Sequence, residues 1–186
     1  MAFLGEISER ELWTLIHGMG LGAVFLLAFG GGLAGLYSLR EKLLTPEGVA
    51  ERTPRLLYGS WIMAIVAWLT VISGTFIVYP WYRAAPPEGI DRTDPAQLLD
   101  FPRYKLLADE ATSAWHEFGM EWKEHVAWIA PMLATAVAFI VAYYGVGLIR
   151  RGEIRRAAMI LLTLAFLAAG AAGLYGALIT KAAPVA

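Results

Sequence analysis

The chain has 186 residues, 58% of them hydrophobic and 17% charged, with a mean hydropathy of +0.55. Water-soluble domains carry about 25% charge and roughly 45–50% apolar residues, so this composition excludes an ordinary soluble enzyme, a disordered tail and a collagen-like repeat. The 15 Lys+Arg against 16 Asp+Glu leave no basic excess for a nucleic-acid partner. The lack of cysteine excludes disulfides, thiolate zinc sites, iron–sulfur clusters and covalent c-type haem.

The leading segment MAFLGEISERE carries three Glu against one Arg. It lacks the positive n-region of a secretory signal, and the apolar run that follows exceeds the ~7–15 residues of a signal core. A retained helix is expected there. Crossing ~30 Å of hydrocarbon takes about 20 mainly apolar residues. Four stretches meet that length, at about 13–39, 57–81, 125–149 and 157–180, and none holds an Asp, Glu, Lys or Arg in its interior. The expectation is one all-α domain over residues 1–186, with four transmembrane helices in an up-down-up-down bundle.

The short connections predict the orientation. Residues 40–56 and 150–156 hold eight of the fifteen cations, and Lys and Arg concentrate on the cytoplasmic side. Both termini and the long 2–3 connection (82–124) are therefore expected outside an inner (plasma) membrane. That outer side is net acidic, which suits a dock for a basic soluble electron carrier and equally a plain solvated loop. The long connection opens with Pro80, Pro86, Pro87, Pro95 and Pro102, which signal turns. From Arg103 onward it lacks Pro until Pro131, predicting a helical segment along the outer interface or extending the third span outward.

Ionisable groups inside a membrane are costly and are functional candidates by default. The chain offers His17 about one turn inside the outer end of span 1, His125 at the outer end of span 3, and His116 nearer the water. Spans 1 and 3 are diagonal in a four-helix bundle, so the first two imidazoles are expected at similar depth, facing each other as axial ligands of a haem would. At helical spacing Gly20 shares the face of His17, offering small surface to a flat macrocycle. Trp122 and Met132 share the face of His125. Pro131 is expected to kink span 3 and free a carbonyl. Arg83, Arg103, Tyr104, Lys105 and Lys123 are available to haem propionates. Plain interfacial histidines, another metal or a proton relay are the alternatives, and glycines at GxxxG spacing also let helices pack without a cofactor.

His116 precedes His125 by nine residues, about 2.5 turns and ~13 Å along an α-helix, so the two cannot reach one iron. It is left to a second haem shared with a partner chain, a quinol site or the water. No P-loop, dinucleotide fingerprint or HExxH motif is present, and hydrolytic catalysis is not expected.

Four spans with histidines on the first and third give a chain that resembles the small four-helix b-type cytochromes that serve as membrane subunits of redox complexes. The resemblance is one of architecture. It implies haem b between His17 and His125, a non-catalytic electron-transfer role, and partners among other membrane redox subunits, quinone and the lipid bilayer. Two-haem members need four axial ligands and only three histidines exist here; Met19 or Met120 would have to supply the fourth. The rival expectation is a cofactor-free structural subunit of a respiratory or photosynthetic assembly.

Overall fold

The computed structural model describes residues 7–184, so the first six residues of the leading segment and the last two of the tail lie outside the described residues. Helices and turns make up the described residues, with no strand among them. Four helices are long and apolar enough to cross a membrane: α1 (Glu9–Ser38), α2 (Pro46–Arg83), α4 (Glu110–Ile149) and α5 (Gly152–Ala182). A short helix, α3 (Pro102–Leu107), lies in the connection between α2 and α4.

Each long helix is longer than its apolar stretch, and in α1, α2 and α4 a capping side chain and not hydropathy sets the start. Ser8 and Glu11 form a reciprocal capping box, with the Glu11 carboxylate accepting the Ser8 N–H at 2.8 Å. Thr45 Oγ1 accepts from the Gly48 N–H with Pro46 at the first helical position, so α2 starts there and not near Leu57. Asp109 accepts from the Ala111 N–H at 2.9 Å and starts α4. The helical segment expected after Arg103 is therefore split. Residues 102–107 form α3, and the chain from Glu110 runs on into the third span.

The α-helical run of α4 ends at Tyr144, where Gly145 takes φ 47°, a left-handed value that Gly adopts without a Cβ penalty. The carbonyl expected to be freed by Pro131 is re-used: the Ala127 carbonyl accepts from the Ala130 N–H at 3.1 Å.

Helix α1 packs on α2 and α5, and α4 packs on α2 and α5. Ala134, Ala138, Ala158 and Ala165 are fully buried at these contacts, where small side chains let helix backbones approach. Phe25, Leu36, Met63, Val137, Val141, Leu148 and Leu162 fill the main core. The void left among Gly32, Met63, Ala134 and Leu162 is about 10 Å³, no more than one water's worth. Phe29 stacks on Phe166 at 4.2 Å, and the Trp68 indole N–H donates to Thr135 at 3.0 Å.

Arg155 fastens one end of the bundle. Its Nη1 donates to the carbonyls of Leu39 (2.7 Å), Leu148 (2.8 Å) and Ile149 (3.0 Å). The turn after α1 and the turn before α5 therefore meet there, and we call it the arginine end. Large side chains such as Leu27, Phe76 and Phe139 stand exposed around the circumference, as a lipid-facing surface requires. The most apolar window of α1 is 11% buried, against 22–28% for the other three helices.

Candidate functional site at the histidine end

The end of the bundle opposite Arg155 has a different backbone. Ile16–Gly22 in α1, Gly74–Val78 in α2, and Trp115–Met120 and Trp122–Val126 in α4 are all π-helical. Such turns are rare and cluster at functional sites. Here they fall in three of the four spanning helices and at one end.

His17 sits inside this region, half-buried against α2. Its Nδ1 lies 2.9 Å from the Thr70 carbonyl oxygen and 3.2 Å from Ser73 Oγ. A carbonyl only accepts, so Nδ1 carries the proton, and in the neutral ring Nε2 is left with its lone pair. Ser73 Oγ also donates to the Thr70 carbonyl, at 3.0 Å. The ring rests on Gly74, where a Cβ would lie 2.6 Å from Cε1 and 3.2 Å from Nε2. Metal-ligating histidines commonly have this second-shell arrangement, with the far nitrogen donating to a carbonyl.

His125 shows the same tautomer in a different setting. Its Nδ1 lies 3.1 Å from the carbonyl of Glu121 in its own helix and 3.4 Å from the Glu121 carboxylate, with the side chain 70% exposed. A side chain that open does not face into the bundle. The structure thus does not bring His17 and His125 to one centre: the first leans on α2, and the second stands on the outside of α4.

Gly20, expected beside His17, is exposed. The reason is the π-turn, in which the hydrogen bond spans five residues. Gly22, five residues along, takes that face instead: a Cβ there would lie 3.8 Å from Thr70 Cγ2 on α2. Trp122 donates its indole N–H to the Ala168 carbonyl of α5 at 3.3 Å, and Met132 is 54% exposed. Arg83 is exposed and stands 5.3 Å over the Tyr79 ring. His116 is half-buried, with Nδ1 2.8 Å from the hydroxyl of the buried Tyr82. Met19 is 72% exposed, while Met120 is buried with Tyr82, Leu106 and Ile179.

Sequence reasoning missed what surrounds these residues. Lys123, expected at the outer surface, points between α4 and α5. Its Nζ donates to the Ala172 carbonyl at 3.4 Å, and a Cβ on Gly176 would lie 2.7 Å from that nitrogen. The one available signal was its place two residues before the apolar stretch of span 3. Thr70, Ser73 and Gly74 carried no sequence signal, because nothing local in α2 shows that a histidine from α1 rests on them.

Among the described residues no group of three or more His, Cys, Asp or Glu could hold a metal ion. For a two-imidazole haem the fold builds one half of the ligand set, the oriented His17, and does not place the other half opposite it. Comparison with protein-family models, with curated proteins and with solved structures finds no match. What fold and site define together is a class: an all-helical multi-pass membrane protein with an oriented imidazole and a lysine at one end of its bundle.

Proposed function

We propose that this chain is a membrane electron-transfer subunit, working at the histidine end of an up-down-up-down bundle whose arginine distribution puts that end outside. The observation that carries the reading is the His17 ring, fixed through Nδ1 by Thr70 and Ser73 so that Nε2 is the nitrogen offered to a ligand. In this reading His17 is one axial ligand of a haem b, which when bound supplies a one-electron couple. The chain's own residues orient the imidazole and seat it on Gly74, and Lys123 brings a cation to the same end of the bundle, which favours an anionic group such as a propionate. The second axial nitrogen comes from a neighbouring redox subunit, because the exposed His125 does not face His17. Quinone and a soluble carrier at the acidic outer loop remain the proposed exchange partners.

The test is a pyridine haemochrome assay on the detergent-purified chain, expressed with haem synthesis intact and co-expressed with its genomic neighbours. Haem that is lost in His17→Ala and kept in His125→Ala supports the reading. Loss in His125→Ala as well would show that the exposed ring turns to the iron. A native chain without haem rejects electron transfer. A cofactor-free assembly subunit is then the better reading, favoured by the uncovered face of α1, where Gly20, Val24, Leu27, Gly31 and Ala34 are all exposed.

A further inference from the structure

The arginine end carries a second feature, which owes nothing to the histidines. A recess of about 740 Å³ opens between the end of α1 and the start of α5. Four guanidinium groups line it, from Arg40, Arg150, Arg155 and Arg156, with Ile149 and Met159 as its apolar wall. We propose that this recess binds a phosphate anion, and specifically the headgroup phosphate of an anionic phospholipid in the cytoplasmic leaflet.

Three observations support the assignment. First, the cations lack carboxylate partners: among the described residues the ion pairs are Arg55–Glu51 and His125–Glu121, although Glu41 also lines the recess. Second, Arg40 Nε is buried without a hydrogen-bond partner, while the guanidinium is held 3.7 Å over the Tyr37 ring. Buried donors are normally satisfied, and a phosphate oxygen is an acceptor that suits a guanidinium fork. Third, Arg155 is held by three backbone carbonyls, which fixes one wall of the recess, while Arg150 and Arg156 stand exposed at its rim.

A general excess of cations on this side of the membrane would not require four of them to converge on one recess. The position of Ile149 and Met159 favours a lipid over a soluble ion. Ile149, at the end of α4, and Met159, on the first turns of α5, put apolar surface directly beside the guanidinium groups, as a headgroup with an attached acyl chain requires. Basic recesses between spanning helices on the cytoplasmic side suit anionic headgroups.

The experiment uses the full chain, delipidated in a neutral detergent, with three probes: dioleoylphosphatidylglycerol, dioleoylphosphatidylcholine and inorganic phosphate. Native mass spectrometry reads the bound lipid, and the thermal midpoint reads stabilisation. Phosphatidylglycerol is expected to bind at least tenfold more tightly than phosphatidylcholine. Arg40→Gln is expected to weaken it by about tenfold, one charge-assisted contact. Arg156→Gln, at an exposed side chain with no bond inside the chain, guards against misfolding: its midpoint without lipid should match the native chain, with the same loss of lipid affinity. Stabilisation by inorganic phosphate equal to that by phosphatidylglycerol overturns the lipid assignment in favour of a soluble phosphate. Equal binding of both lipids, or variants that bind like the native chain, overturns the site altogether.

Discussion

The His17 imidazole is held by contacts that single substitutions can separate. Gly74 is the seat of the ring, and any Cβ there meets Cε1 at 2.6 Å. Overpacking of this kind costs about 1–3 kcal/mol, so Gly74→Ala should lower the thermal midpoint of the detergent-solubilised chain. The cost should largely vanish when His17→Ala is made in the same molecule, since the three atoms nearest that Cβ all belong to the ring. Additive effects in that double-mutant cycle would mean that the imidazole does not rest on Gly74. Lys123 and Gly176 form a similar pair, a long side chain admitted by a missing one.

At the scale of elements, the two ends of the bundle are built by different means. The histidine end relies on π-turns, which widen the helix and bring residues five apart onto one face, as with His17 and Gly22. The arginine end relies on one side chain. Arg155 gathers the Leu39, Leu148 and Ile149 carbonyls, terminal acceptors that a helix cannot satisfy itself. Lys carries the charge but not the planar fork. Arg155→Lys should therefore destabilise the fold by about 2 kcal/mol, measured by denaturation in mixed micelles, whereas Arg151→Lys should change little, because Arg151 only stacks over Tyr144 at 5.1 Å. Equal losses in both would remove Arg155 from its fastening role.

For the molecule as a whole, the proposed sidedness rests on charge and can be checked directly, because the chain has no cysteine to confuse the labelling. Glu88→Cys lies in the long connection and Glu47→Cys at the start of α2, both at exposed positions. A membrane-impermeant maleimide should label the first in intact cells and the second only after permeabilisation. The reverse pattern would turn the topology over and place His17 on the cytoplasmic side.

The number of spans and their rough limits were legible because crossing a bilayer is a one-dimensional demand: about 20 apolar residues in a row, flanked by charge. Even the longer true helices could have been extended from their caps, Ser8, Thr45 and Asp109, which are local signals. The direction in which a side chain points is not local. It depends on helix rotation, which the neighbouring helices fix, and on residues per turn, which π-helical segments change without any marker in the composition. The sequence by itself therefore determined a four-span, all-helical membrane chain with its cations at two short turns. Only the tertiary structure decided that His17 lies on α2, that His125 stands outside the bundle and that Lys123 points inward, because rotation about a helix axis is set by what packs against it.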